Sequence, residues 1–394
     1  MKLFWITPEF PYPANTGGRN VMWNRLKYLS QNNEVYLFSI SESEEDIENV
    51  KKIEKQFQDI RLYQRKRNIF TLMKSVIKPY PCLSRWNENL KMDLEHMFND
   101  IKPDFVIVEF PQMIGVLPSC IKKSHRVILE QHNIEYRALR SIAVGDEPLL
   151  KKIAYRIVAN QMEKYESKIY NSDFIQMYTF VSREEKRFFE EKYRLSNTLL
   201  MPIGANTSSF PKITHSHNIL FVAKMSYQPN EDAALFLVKK VFPIIKEKIV
   251  DAKLYLVGKD PSEKLRSSAS DGDIIVTGTV DNLDEYYNLA DLVVVPIMTG
   301  GGVNVKLIEA LSHGKFVVTT PKGIEGTDFQ SNIDVFVEDD YKKFAKDCII
   351  YLDHPEDYET IRSNGYEKIY ANYSWQKVCS DFEKSLVVLA NKSN

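Results

Sequence analysis

Over its first two hundred residues the chain alternates short apolar runs with stretches of helical period. Leu3–Thr7, Val35–Ile40, Asp104–Val108, Arg126–Leu129 and Phe174–Val181 read as strands. Between them lie amphipathic segments such as Asn20–Ser30, where Val21, Leu26 and Leu29 are the apolar positions. This alternation predicts βα units on a parallel sheet. Residues 135–170 read as a longer, charge-rich helical insert. Residues 202–217, PIGANTSSFPKITHSH, hold turn formers with little apolar period and read as a linker.

A second alternation begins after the linker. It predicts strands at Ile219–Val222, Lys253–Val257, Ile274–Val276, Leu292–Pro296 and Lys315–Thr319. Helices are expected at Ala233–Val250, Leu283–Ala290 and Asn304–His313. From Asp340 onward the pattern is helical, with a break expected near Asn364-Gly365. The expected fold is therefore α/β: two Rossmann-like, doubly wound parallel-sheet domains facing across a cleft. The boundaries are 1–205, 216–372, and a C-terminal helix over 373–394 that crosses back to the first domain.

Composition narrows the classes. The chain has 394 residues, 44% hydrophobic and 27% charged, with a net charge of -1. That fits a soluble protein of two or three domains and argues against a nucleic-acid partner. Cys82, Cys120, Cys348 and Cys379 are far apart and form no CxxC or Cys/His cluster, so reduced thiols in the cytoplasm are expected. The opening residues lack the basic, apolar and cleavage-site pattern of a signal peptide, so none is expected, and no window approaches the ~20 apolar residues of a spanning helix. One segment departs from the even charge balance. Residues 61–86 carry seven Lys/Arg and no Asp/Glu, interleaved with Leu62, Ile69, Phe70, Leu72, Met73, Val76 and Ile77. Such a stretch is either a solvated rim helix or a peripheral contact with the inner face of the plasma membrane; membrane contact is the expectation.

Candidate chemistry sits in the loops after strands. TGGGVNVKLIEALSHGKFVVTT, starting at Thr299, places Gly300, Gly301 and Gly302 between a strand end and a helix. Backbone N–H groups there can approach an anion. Asn304 is the expected N-cap, and Lys306, Glu309 and His313 follow on one helix face. Lys306 so near the helix start wants an anionic partner, and Glu309 suits paired ribose hydroxyls. The plain alternative is a tight turn and a surface Lys–Glu pair. TPEFPYPANTGGR, starting at Thr7, is a second such loop, with Gly17, Gly18 and Arg19 at the helix start. Arg19 can grip a phosphate bidentately. In VILEQHNIEYR, starting at Val127, His132 lies just past a strand end, where ligand groups collect in such folds. It is either a ligand to a sugar or transferring group, or part of a helix cap with Asn133 and Glu135.

In their order and spacing these segments resemble the family-four retaining glycosyltransferases of the GT-B fold. The resemblance adds VSREEK (181–186), MPIGAN (201–206), ILFVAKMSYQPNEDA (219–233), LYLVGKDP (254–261), VTGTVDNLDEYYNLADLVVVP (276–296) and YSW (373–375). It is nearest the bacterial surface-polysaccharide subgroup with GGG before KxxEA. It implies that Gly17 and Gly18 contact donor phosphates or the transferring sugar, and that His132 lies near that sugar. Lys224 falls where many members hold the diphosphate with an arginine. Val280 falls where the base is held by backbone groups, and Glu309 matches the ribose-clamping second glutamate. Gly300, Gly302, Val303 and Asn304 belong to the same donor loop. The chain also departs from the pattern. Gly301 stands where the first glutamate is usual, Ala223 replaces a glycine, and the second basic residue is missing from YQPNED. Lys306 is the expected replacement for that cation.

The implied reaction moves a sugar from a UDP-, GDP- or dTDP-sugar to a hydroxyl of a glycan or lipid-linked glycan. With no DxD-like pair on a loop, neither a metal nor another cofactor is expected. Three rivals remain: a catalytically silent partner subunit of another transferase, a nucleotide-sugar epimerase, and a Rossmann NAD enzyme. The last lacks G-x-G-x-x-G after its first strand.

Overall fold

The computed structural model describes residues 1–14, 16–67, 78–144, 148–269, 272–300 and 302–393. They divide into two compact units: Met1–Pro202 together with the chain from Cys379 onward, and Ile203–Val378. Each is built on a parallel sheet.

In the first unit the strands are β1 (Lys2–Thr7), β2 (Glu34–Ser41), β3 (Asp59–Gln64), β4 (Phe105–Glu109), β5 (Val127–Gln131), β6 (Ile175–Phe180) and β7 (Thr198–Leu200). Their order is β3-β2-β1-β4-β5-β6-β7. β1 is flanked by β2 on one side and β4 on the other, both parallel. β4 and β5 are buried at every position, which explains their near-continuous apolar sequences. Phe4, Ile6, Val106, Val108, Val127 and Leu129 share one core cluster. The intervening Trp5, Ile107 and Ile128 point to the other face, as the period-2 alternation of a strand requires.

The second unit repeats the plan with β8 (Asn218–Val222), β9 (Lys253–Val257), β10 (Ile274–Gly278), β11 (Leu292–Val295), β12 (Phe316–Thr319) and β13 (Phe336–Val337). The order is β10-β9-β8-β11-β12-β13. The expected fold class, two Rossmann-like parallel-sheet halves, is the one observed.

Several elements differ from the sequence pattern. β3 runs into the start of the basic stretch that read as an interfacial segment; its Arg61 pairs with Asp59 and Asp93. Arg65 and Arg67 both engage Glu42. Residues 68–77, which carry the apolar part of that expectation, lie outside the described residues. The insert at 135–170 is two helices, Glu135–Val144 and Leu149–Tyr170, the second entered through Pro148. The expected helix Ala233–Val250 starts earlier and is interrupted. It runs Gln228–Phe236, widens to a π-turn at Leu237–Val241, and resumes as Phe242–Lys248. Pro243 opens the resumed part, because its ring cannot supply the missing N–H. No break occurs at Asn364-Gly365. The helix Glu359–Lys368 runs through it, since Gly365 packs where a Cβ would lie 2.8 Å from the Asp334 carbonyl oxygen. The chain turns instead at the π-turn Ile369–Tyr373, before the last helix, Trp375–Ser393.

Candidate active site

In the second unit β8 and β11 are neighbours, while the chain leaves β8 towards β9 and β11 towards β12. That is a topological switch point, where open α/β sheets bind ligands outside the carboxyl ends of their strands. Lys224 follows β8 and its side chain is exposed. Its loop is anchored from below: Ala223 N–H donates to the Val257 carbonyl and Met225 N–H to that of Lys259. Gly258 permits this, at φ +145 with a notional Cβ only 1.8 Å from the Ala223 oxygen. No other residue fits there.

The glycine loop follows β11 and reaches the same place. Gly300 has φ +116 and lies against Tyr227 and Pro229, at the start of the helix after β8. Gly301 lies outside the described residues. Gly302, also at positive φ, leads into the helix Val305–Ser312. Asn304 occupies the N-cap but does not cap with its side chain; its amide donates to the carbonyls of Lys322 and Gly323, tying the loop to the one after β12. The first N–H groups of the helix are thereby left without that cap. Val303 is half-buried, as is Val280 in the loop after β10.

Lys306 and Glu309 sit one turn apart on this helix. Burial pushes the Lys306 ammonium down to about 8, against the pull of the Glu309 carboxylate. Burial also raises Glu309, opposed by His313, Lys306 and the adjacent Tyr287 hydroxyl. His313 does not join the ligand face. Its ring stacks on Tyr287 at 4.2 Å, and its two nitrogens reach the Glu309 carbonyl (2.8 Å) and Asp284 (3.0 Å).

In the first unit the helix Gly17–Leu29 follows the loop after β1. Thr16 caps it by accepting from the Arg19 N–H. Among the described residues, leaving aside the chain neighbours and the helix backbone, nothing lies within 4 Å of a notional Cβ on Gly17, and only Glu9 lies near one on Gly18. Packing therefore demands neither glycine. Arg19, expected on a phosphate, donates from Nε to Glu9 at 3.0 Å.

His132 sits at the end of β5 in a buried polar network that sequence reasoning missed. Glu109 and Glu130 are direct neighbours in the β4–β5 register, so their side chains share a face. Glu109 accepts from Trp5 Nε1 (3.0 Å) and from His132 Nε2. Arg25, from the helix Gly17–Leu29, donates to Glu130 (2.8 Å) and to the Met201 carbonyl (2.8 Å). All but His132, itself nearly enclosed, are fully buried. Burial, then the nearby Glu109 charge, drives the Glu130 carboxyl up against the pull of Arg25. Glu109 is held low: burial opposes its charge, but His132 and Arg25 outweigh it. Two carboxyl groups thus share one negative charge, matched by Arg25. One ligand atom each from Glu109, Glu130 and His132 lies within 4.8 Å of the others, a metal-like spacing. Arg25 already supplies the positive charge, and the Glu109 oxygens are already occupied. These three residues therefore fit a hydrogen-bonded network better than a metal centre.

Ionised Glu109 can only accept, so Nε2 of His132 carries a proton; in the neutral ring Nδ1 is then the accepting nitrogen. Phe110 stacks on the imidazole at 4.5 Å and 18°. To do so it adopts φ 67, a conformation costing about 1–3 kcal/mol that clusters at functional sites. The following turn is clamped as well: Ile134 and Tyr136 donate their N–H groups to Glu185 and Glu166. Glu135 is pushed by burial up to about 7, with Arg85 opposing.

A family model described as Glycosyl transferases group 1 matches residues 216–354. A Klebsiella pneumoniae protein described as an uncharacterized 44.6 kDa protein in the cps region is 26% identical over 392 residues, spanning 97% of this chain and 99% of the relative. The solved glycosyltransferase of Rickettsia africae is 14% identical with a TM-score of 0.65, over 98% of both chains. Anabaena HepE in complex with UDP is 11% identical with a TM-score of 0.66, over 98% of this chain and all of the other. The second unit thus matches the group 1 glycosyl transferases over most of its length, and the whole chain has the GT-B fold.

Proposed function

We propose that the protein is a retaining glycosyltransferase. It moves a sugar from a UDP-, GDP- or dTDP-sugar to a hydroxyl of a glycan or lipid-linked glycan, in the synthesis of a bacterial surface polysaccharide at the cytoplasmic side of the membrane. The observation that carries this reading is the placement of Lys224 after β8 and of Gly300, Gly302, Lys306 and Glu309 after β11, the two strands at the switch point, within the part matched to the family. The relative from a cps region and the UDP complex of a protein of the same fold support it.

Glu309 accepts from the ribose hydroxyls, and Val280 lies beside the base. The helix N-terminus, Lys224 and Lys306 stabilise the charge that develops on the leaving nucleoside diphosphate. Lys306 is half-buried and its ammonium is held down to about 8, so an arriving phosphate keeps it charged. His132, fixed by Glu109, contacts the transferring sugar through Nδ1, with Gly17 and Gly18 leaving room for the donor. With the positive potential supplied by the protein, the reaction needs no divalent cation, and EDTA leaves the rate unchanged.

Differential scanning fluorimetry of the full chain with UDP, GDP, dTDP and NAD tests the donor site. One nucleoside diphosphate raises the melting temperature and NAD does not. Each hydrogen bond to a charged group contributes about 1.5–3 kcal/mol. Glu309→Gln and Lys306→Ala should therefore each weaken that diphosphate about 10-fold or more, while Lys306→Ala leaves the free protein at least as stable. Diphosphate affinity should also fall as pH rises above about 8, where free Lys306 loses its proton. Wild-type affinity in both variants overturns the assignment. Nucleotide binding without any transfer of the matching sugar points to the silent subunit instead.

A further inference from the structure

Two charged side chains at the carboxyl edge of the first sheet leave polar atoms without a protein partner. Arg85 closes the short helix Tyr80–Arg85. Its Nε donates to the Pro8 carbonyl (3.1 Å), in the loop after β1, and its Nη1 to the Pro81 carbonyl (3.2 Å). Its Nη2 has no hydrogen-bond partner among the described residues, yet it is not sealed from solvent. Glu135 opens the helix after β5, three residues beyond His132. Among the described residues its carboxyl has neither a hydrogen bond nor an ion pair, and it is not sealed either. Glu166 and Glu185 differ: each accepts a backbone N–H and turns its second oxygen into the core. Arg85 and Glu135 are nonetheless half-buried. Burial pushes Glu135 up to about 7 and Arg85 down to about 10, and each charge opposes the other's shift without a direct bond. Withdrawing a charged group from water without a hydrogen bond is costly, and such groups collect where a ligand completes them. The helix dipole favours an acid in a first turn but gives no reason to withdraw it from water.

The two groups are complementary. Nη2 can only donate and an ionised carboxylate can only accept. A sugar residue satisfies both when one of its hydroxyls donates to Glu135 and another of its oxygens accepts from Arg85. Charge decides the kind of oxygen. Arg65 is near enough to push Arg85 down, and Arg65 and Arg67 share the one carboxylate of Glu42. Arg19 is already balanced by Glu9. Positive charge is thus in excess around Arg85, which favours an anionic oxygen. A guanidinium fixed by two carbonyls is also already oriented for one.

Resting on the transferase reading above, we propose that Arg85 and Glu135 select an acidic acceptor: a sugar whose carboxylate or phosphate meets Arg85 Nη2 while a hydroxyl meets Glu135. Saturation-transfer NMR titrations of the full chain test it, with and without the nucleoside diphosphate that stabilises the protein. The probes are glucose, glucuronate and glucose 6-phosphate, which share a ring and differ at its last carbon. One acidic probe should bind about 10-fold or more tighter than glucose, the effect of one hydrogen bond to a charged group. Glucuronate in that place names a carboxylate, and glucose 6-phosphate a phosphate. Arg85→Met should bring that probe down to the level of glucose. Glu135→Ala breaks no hydrogen bond within the protein, so it should keep the melting temperature and weaken the same probe about 10-fold. It decides the matter if Arg85→Met unfolds. Lys306→Ala should leave the acidic probe at its wild-type affinity. Glucose binding as tightly as both acids overturns the proposal, as does wild-type affinity in Glu135→Ala or in folded Arg85→Met. Nucleotide binding without a preference for an acidic sugar strikes this pair alone. An Arg85-dependent preference without nucleotide binding strikes the transferase reading and leaves the acidic-sugar site standing.

Discussion

Glu109→Gln lowers kcat by about 10²–10⁴-fold, the range for losing an oriented histidine, and leaves the protein folded. The wild-type carboxylate accepts two hydrogen bonds, from Trp5 and His132. An amide has one accepting oxygen. Either its NH₂ faces the His132 ring, which then shifts its proton to Nδ1, or it faces the indole N–H. In the first arrangement Nδ1 becomes a donor where the proposed contact with the sugar needs an acceptor. The fold survives because the charge moves rather than vanishes: without the Glu109 charge beside it, Glu130 ionises more readily next to Arg25. Nucleotide affinity, set in the other unit, stays at the wild-type level. Ring ¹⁵N shifts of His132 give a readout that a purely structural role would not move. They should report Nε2 protonation in the parent and a changed tautomer in the variant. Wild-type kcat in Glu109→Gln would show that Glu109 does not position the histidine.

Arg25→Met is expected to cost about 3–5 kcal/mol, because Arg25 is the cation that matches the one negative charge shared by Glu109 and Glu130, and its loss strands that charge in the core. The side chain is fully buried and makes two 2.8 Å hydrogen bonds, so its loss leaves Glu130 without a cation and the Met201 carbonyl without a donor. Methionine is of similar length, which keeps cavity formation from dominating. Urea unfolding followed by Trp fluorescence should show an early transition of the first unit. Adding Glu130→Leu should recover part of the loss, because replacing both partners with apolar side chains is often neutral. An unfolding midpoint equal to the wild type in Arg25→Met would mean that the pair contributes nothing to the fold.

The fold was legible because the central strands of both sheets are buried on two faces. FVIVE and VILEQ are apolar for that reason, and their spacing reveals the βα repeat. β3 was hidden because it is only half-buried and carries Arg61 and Gln64. Proline inside Phe242–Lys248 and glycine inside Glu359–Lys368 misled in opposite directions. The first introduces a π-turn without ending the helical segment, and the second serves packing rather than a break. In the glycine loop, the residue types and spacing pointed to Gly300, Lys306 and Glu309, while Lys224 was marked only by the family resemblance. The sheet order then brings the two loops to one edge, which no local pattern encodes. The Glu109–His132–Glu130–Arg25 network was illegible for the same reason: its members lie up to 107 positions apart and meet only through the β4–β5 register. A signal was present, however. Two successive buried strands carry a glutamate at the last or next-to-last position, and Arg25 interrupts the apolar face formed by Val21, Met22, Leu26 and Leu29.

The first unit is made of the beginning and the end of the chain, with 176 residues of the second unit between Pro202 and Cys379. Trp5 packs on Phe382, and Asn33 bonds to Glu383. During synthesis at about 5–20 residues per second, the intervening stretch takes about 10–35 s. Throughout that time the nascent first unit lacks its closing helix, and the Trp5 side of its sheet has no Phe382 to cover it. The second unit, continuous in sequence, can finish first. Ribosome-bound chains halted before Cys379 should therefore be more readily cleaved by protease in the segment that emerged earliest than in the one that emerged last.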